Sequence, residues 1–181
     1  MNKIVAVVGM CGSGKSVATE LFEKYGYQKV YFGQVTFDIL KERGIERTAE
    51  SEQMIREELR ASGDKGIYAK IYLPKIRELF KNGNVVIESM YSWSEYKYVK
   101  QEFGDAFSVL CIATDAPLRY ARLQERDYRG QTKEESMKRD YTEIENIEKG
   151  GPISIADHYI TNNADIETFK LEVEQYIKNL K

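Results

Sequence analysis

The sequence predicts an α/β fold: a doubly wound, five-stranded parallel sheet with helices on both faces. Three observations carry this. Short apolar runs alternate with helical patterns, and nearly all Pro and Gly residues fall in the connections. Two of the apolar runs, Val85–Ile87 and Phe107–Ala113, are continuous rather than alternating, as strands buried on both faces require.

The five strands are expected at Ile4–Val8, Val30–Phe32, Val85–Glu88, Phe107–Ala113 and His158–Thr161. The first helix follows Ser16: Ala18, Leu21, Phe22 and Tyr25 recur at i, i+3, i+4 and i+7, and Gly26 stops it. Helices are expected next over Phe37–Arg43, over Ala49–Ala61 with Thr48 as N-cap, and from Lys65 to Phe80 with a potential kink at Pro74. Pro117–Arg126, Lys133–Glu148 and Asp165–Leu180 complete the helical set. In the last, Ile166, Phe169, Val173, Ile177 and Leu180 form one apolar face, suited to covering the sheet.

At 181 residues the chain suits one domain. We expect a core of residues 1–33, 84–118 and 150–181, a helical substrate cap over about 34–83 and a lid over about 119–149. Hydrophobic residues make up 42% and charged residues 31%, and the net charge is −2. That balance argues against partners such as a nucleic acid polymer or a membrane surface. The apolar stretch Ile4–Val8 is too short for a signal peptide or a membrane span. Two cysteines, Cys11 and Cys111, and a single His158 fit a reducing, cytoplasmic setting without a zinc site.

Residues 9–16 carry the strongest signal. They read Gly9-Met10-Cys11-Gly12-Ser13-Gly14-Lys15-Ser16, the pattern G-x-x-x-x-G-K-S, directly between an apolar strand and a helix. Glycines let backbone N–H groups turn inward around phosphates, the lysine adds a point charge, and the Ser16 hydroxyl is placed to ligate Mg²⁺. The helix that starts near Lys15 and Val17 aims its positive end at the same anion. Cys11 inside the loop is either a redox-sensitive thiol or a tolerated small side chain.

Four further features suit phosphoryl transfer, which needs positioning and charge stabilisation more than covalent chemistry. Glu88 ends a central strand on the ligand-binding side and is a candidate metal ligand or base; otherwise it merely ends the strand. Arg119, Arg122, Arg126 and Arg129 lie in a segment, 119–139, with seven basic and four acidic residues. They suit a lid over the transferring group, or else a solvated helix face. Arg43, Arg56 and Arg60 lie on the cap, and Arg56 is the first candidate for the acceptor. Asn162-Asn163-Ala164-Asp165 follows the last strand, where Asn163 can meet an adenine ring and Asp165 can cap the last helix. Tyr91 and Trp93, with Tyr96 and Tyr98 nearby, either pack in the core or stack on a ring of the acceptor.

With these residues in view, the chain resembles P-loop nucleoside and nucleotide kinases of the dephospho-CoA kinase and adenylate kinase type, and looks closest to an archaeal and bacterial branch related to both. The landmarks are GMCGSGKS at 9–16, Arg43-Gly44, IREE at 55–58, Glu88, RYARLQER at 119–126, Lys138-Arg139-Asp140 and ADHYITNN at 156–163. The resemblance spans nearly the whole chain. It implies a P-loop NTPase fold and ATP with Mg²⁺ as cofactors. Kinases of this kind usually carry an Asp after the second strand, where Gln34 stands here with Asp38 as the nearest carboxylate, and the branch carries an Arg where Tyr91 stands. Both changes point to a less negative acceptor, or to one with a different ring.

The sequence therefore predicts an ATP-dependent phosphotransferase acting on a small nucleotide-like or nucleoside-like acceptor, with an ATP-driven regulatory switch as the competing reading. Catalysis falls to Lys15, Glu88, Arg122 and Arg126. ATP binding falls to Gly9, Cys11, Gly12, Ser13, Gly14, Lys15, Ser16, Val17, Arg122 and Asn163. Acceptor binding falls to Gln34, Asp38, Arg56, Tyr91 and Trp93, and Mg²⁺ to Ser16 and Glu88. A homodimer is compatible with the sequence.

Overall fold

The computed structural model describes residues 1–61, 63–126 and 130–180. Among them, five strands form one all-parallel sheet: β1 (Ile4–Val8), β2 (Gln28–Tyr31), β3 (Val85–Glu88), β4 (Phe107–Ala113) and β5 (His158–Thr161), in the spatial order β2-β3-β1-β4-β5. The register places Glu88 beside both Val7 and Tyr31, so the ends of β1, β2 and β3 lie level. After β1 the chain moves to one side of the sheet, and after β3 it crosses to the other. The loop leaving β1 thus sits at the switch point, where crevices open in such sheets.

Side-chain alternation explains the layers. Ile4, Ala6 and Val8 of β1 face one side, with Val30, Val85, Ile87, Val109 and Cys111. Val5 and Val7 face the other, with Val86, Leu110 and Ile112. The first side is covered by α4 (Ile67–Asn82), through Tyr68, Ala69, Tyr72 and Ile76, and by Val99 of α5 (Trp93–Phe103). The second is covered by α1 (Lys15–Lys24), through Ala18, Leu21 and Phe22, and by α9 (Ile166–Asn179), through Phe169, Val173 and Ile177. Ile166, read as part of that apolar face, is exposed.

The connections carry the remaining helices: α2 (Gln34–Glu42) and α3 (Ala49–Arg60) before α4, and α6 (Ala116–Gln124), α7 (Lys133–Ile147) and the short α8 (Gly150–Ser154) between β4 and β5. Thr48 caps α3 as expected, in a reciprocal pair with Ser51. The helix α4 runs on through Pro74. The strand β2 begins at Gln28, two residues before its expected start, and α8 falls where the sequence reading placed no helix. Two further elements depart from the sequence reading. The second helix starts at Gln34, three residues earlier than its apolar pattern suggested. Residues after Tyr91, read as a loop, form α5, started by a capping box in which Ser92 and Glu95 satisfy each other's backbone N–H groups.

Candidate functional site

The glycines that punctuate residues 9–16 are conformationally required. Gly12 and Gly14 adopt φ of 81° and 99°, the left-handed region that other residues rarely enter. Both also lie against neighbours: a Cβ on Gly14 would collide with the Asn162 side chain, and one on Gly12 with the Arg119 carbonyl. The loop is therefore held from behind by two elements distant in sequence. Asn162 donates from Nδ2 to the Ser13 carbonyl at 2.9 Å, and Thr114 Oγ1 donates to the same oxygen at 3.2 Å. Arg119, 5% exposed, donates from Nη1 to the Cys11 carbonyl at 3.0 Å and is paired to buried Asp140 at 2.7 Å.

Inside the loop, the Lys15 ammonium folds back onto the Met10 carbonyl at 2.8 Å. Burial, and next the charge of Lys149, lower its pKa to about 7. The Ser13 hydroxyl is buried with no hydrogen-bond partner among the described residues. An unpartnered donor and a lysine crowded by other cations fit an anion such as a nucleotide phosphate.

On one flank, Ser16 Oγ donates to Glu88 Oε1 at 3.1 Å, and Thr19 Oγ1 to Glu88 Oε2 at 3.3 Å. A hydroxyl and a carboxylate thus converge beside the phosphate position, and such hard oxygen donors suit Mg²⁺. On the other flank, Arg122 reaches Asn162 Oδ1 at 3.5 Å, and its Nη1 is buried without a partner among the described residues. Asn163, expected to meet adenine, accepts from Asp115 N at 3.0 Å and lies exposed; its neighbour Asn162 braces the loop instead. Asp165 caps α9 by accepting from Glu167 N and Thr168 N. Val17 packs against the buried cluster of α1 and α9. Arg126 is exposed just beyond α6, and Arg129 lies outside the described residues.

A cavity of about 890 Å³ opens between α2–α3, the loop after β3, and α7. Its wall includes Phe37, Arg56, Arg60, Tyr68, Tyr91 and Arg139. Ser89, also in the wall, holds a positive φ of 67° although it is not glycine, a strain of about 1–3 kcal/mol of the kind that collects at binding sites. The structure brings Arg56 and Tyr91 together here, but not Gln34, Asp38 or Trp93. Gln34 and Asp38 lie exposed on α2, hydrogen-bonded to each other at 2.8 Å. Trp93 opens α5 and so turns away from Tyr91, to stack on Tyr96 at 4.9 Å and line a separate apolar pocket with Ile144 and Ile155.

Sequence reasoning did not single out the charged group next to Tyr91. Glu143 accepts from Arg139 Nε at 3.0 Å and pairs with Lys149, whose Nζ lies 4.4 Å from the Tyr91 ring centre. Burial raises the Glu143 pKa, but Lys149 and Arg139 outweigh it and hold the carboxyl below its ordinary range. Arg139 was in view as part of the lid segment and of the Lys138-Arg139-Asp140 landmark, and its i,i+4 spacing to Glu143 was a local sign of the pair, but nothing nearby in sequence pointed to Lys149.

Glu95 forms part of the cavity floor and titrates differently. Burial pushes its pKa up to about 7, although the Ser92 and Tyr91 N–H groups donate to it. A carboxyl that binds its proton more tightly when folded stabilises the protein fully below pH 4.5, and the contribution is lost as pH rises through about 7. Stability should thus fall by up to about 3 kcal/mol across that window through this group, and Glu95→Gln should flatten the profile. Denaturant titrations of both proteins at pH 5 and 8 check this; parallel profiles would sink it.

The model for an AAA domain matches residues 5–148. A UPF0200 protein of Thermococcus sibiricus is 30% identical over 181 residues, covering 98% of this chain and 95% of its own. The chain belongs to the UPF0200 family and carries an AAA domain. A second UPF0200 protein, from Sulfurisphaera tokodaii, is 32% identical over 184 residues, covering 98% and 97%. Among solved structures, a shikimate kinase from Bacteroides thetaiotaomicron aligns with a TM-score of 0.62 at 12% identity, covering 98% of each chain. A dephospho-CoA kinase from Campylobacter jejuni aligns with a TM-score of 0.59 at 20% identity, covering 98% and 96%. At these identities the structural likeness establishes the P-loop kinase fold. No helix among the described residues is long and apolar enough to cross a membrane.

Proposed function

We propose that this chain is a cytoplasmic, ATP-dependent phosphotransferase that moves the γ-phosphoryl group of ATP to a small nucleotide-like or nucleoside-like acceptor. The observation that carries the reading is the link between phosphate loop and cavity: Arg139 and Glu143 line the cavity and also act electrostatically on Lys15. The fold shared with a dephospho-CoA kinase and a shikimate kinase supports it. Lys15 would hold the phosphates and offset the charge that develops during transfer. Ser16 and Glu88 would hold Mg²⁺, which would supply positive charge against the charge that develops on the phosphates. Arg122 and Arg126 would close from the lid side, and Asn162 with the phosphate loop would form the floor. Residues 34–83 would act as the cap and 119–149 as the lid.

The acceptor would enter the 890 Å³ cavity, with Arg56 and Tyr91 as its contacts. Stacking on an aromatic side chain contributes roughly 1–3 kcal/mol per base, so Tyr91→Ala should raise acceptor KM by about 5- to 100-fold. Trp93→Ala should leave KM unchanged and lower stability only. A KM effect confined to Trp93→Ala would move the acceptor site to the other pocket. The function itself is tested by ADP release with nucleosides, nucleoside monophosphates, dephospho-CoA and hydroxylated ring acids. ATP binding without acceptor-stimulated ADP release across that panel would favour the switch reading, to which Gln34, standing where related kinases carry an acid, also lends itself.

A further inference from the structure

Lysine is among the residues least often buried, and it is almost never fully buried unless paired. Lys149 is 3% exposed, at the corner between α7 and α8. The corner is well built: Glu148 takes the left-handed conformation with φ of 59°, and Lys149 N donates to the Glu143 carbonyl at 3.2 Å. This directs the side chain inward, beneath the Tyr91 ring and onto the Glu143 carboxylate.

As a stability device this arrangement is poor. A buried ion pair seldom stabilises more than apolar side chains of the same shape would. Here the balance is worse, because Lys149 and Arg139 both act on Lys15, while Glu143 is a single carboxylate that Lys149 and Arg139 share. Of the charges acting on Lys15, that of Lys149 is the strongest. An excess of buried positive charge beside a phosphate loop is relieved by a polyanion. Both lysines are also parked on weak substitutes for one: Lys15 on a carbonyl, Lys149 on a carboxylate already shared with Arg139. Each has a flexible four-carbon stem that can carry its charge to a phosphate oxygen.

We propose that Lys149 is a second phosphate-binding cation of this site, contacting the γ-phosphoryl group of ATP from the side of Tyr91, and that Glu143 is the positioning residue that holds it ready. The proposal rests on the phosphotransferase reading and deepens it. Lys15 belongs to the loop, which wraps the inner phosphates. Lys149 stands against Tyr91 and Glu143, both of which line the acceptor cavity, and its charge also acts on Lys15. It therefore distinguishes a triphosphate from a diphosphate.

The test is the affinity of the full-length chain for Mg·ATP and Mg·ADP, measured by titration calorimetry. A hydrogen bond between charged partners supports a change of about tenfold or more. Lys149→Met should therefore weaken ATP about tenfold and leave ADP within about twofold. Should Lys149→Met fail to fold, the double variant Glu143→Gln with Lys149→Met removes the pair together and should lose the same discrimination. A wild-type ratio of ATP to ADP affinity in either folded variant overturns the proposal, as does an equal loss for both nucleotides. Lys15→Ala separates the two readings. If it abolishes ATP binding while Lys149→Met keeps the ratio, only the role of Lys149 falls. If it leaves ATP binding unchanged, the phosphate-loop reading falls as well.

Discussion

Lys15→Ala is expected to lower phosphoryl transfer by at least roughly 10²–10³-fold, about 3–4 kcal/mol of transition-state stabilisation. The backbone of the loop should survive the change. Its shape depends on Gly12 and Gly14 at positive φ and on donors from Asn162, Thr114 and Arg119, none of which touches the Lys15 side chain. The melting temperature should accordingly hold or rise, because an ammonium crowded by Lys149 and Arg139 is removed. The loss should therefore sit in charge stabilisation rather than in folding. Turnover by ADP release, paired with a thermal melt, is the measurement. Near-wild-type turnover would mean that the phosphates bind elsewhere.

Asp140→Ala should have the largest effect on stability, about 3–5 kcal/mol, because it leaves the Arg119 guanidinium buried without its counter-charge. Arg119 and Asp140 are each 5% exposed and joined by two hydrogen bonds, of 3.2 and 2.7 Å, and Tyr120 adds a third to Asp140 at 3.0 Å. For a chain of this size that corresponds to a drop in melting temperature of about 6–20 °C. The same guanidinium donates to Cys11 and Thr114 carbonyls, so the variant should also loosen the phosphate loop and weaken nucleotide binding. Replacing both partners, Arg119→Met with Asp140→Leu, should recover most of the stability but not the nucleotide affinity, since the Cys11 carbonyl still lacks its donor. Full recovery of both would show that the pair is a packing element with no hold on the loop.

Arg119 shows how far a residue pattern can be read. Its i, i+3, i+7 series with Arg122 and Arg126 suggested a lid face, yet the three differ entirely in surroundings. Arg119 is a buried brace, Arg122 is half-buried with one nitrogen unpartnered among the described residues, and Arg126 is exposed. Helical spacing specifies a side of a helix; it does not say what lies opposite. Tyr91 and Trp93 diverge for a related reason. The capping box at Ser92 and Glu95 begins a helix between them, so two residues that would point the same way along an extended loop end in different pockets. The S-x-x-E signal was present in the sequence and would have found α5.

The sequence by itself determined the strands, the parallel α/β architecture and the phosphate loop. Each of these is written in a few contiguous residues, because the physics is local: apolar runs buried on two faces, and glycines that alone tolerate the required φ. Tertiary structure alone decided which charges face the loop. Lys149, Glu143 and Arg139 come from α7 and its corner, Tyr91 from the end of β3, and Lys15 from the start of α1, and their meeting depends on how helices pack over the sheet. Coulombic coupling acts through space rather than along the chain, so the part of the site that crowds Lys15 with cations was invisible until the fold was complete.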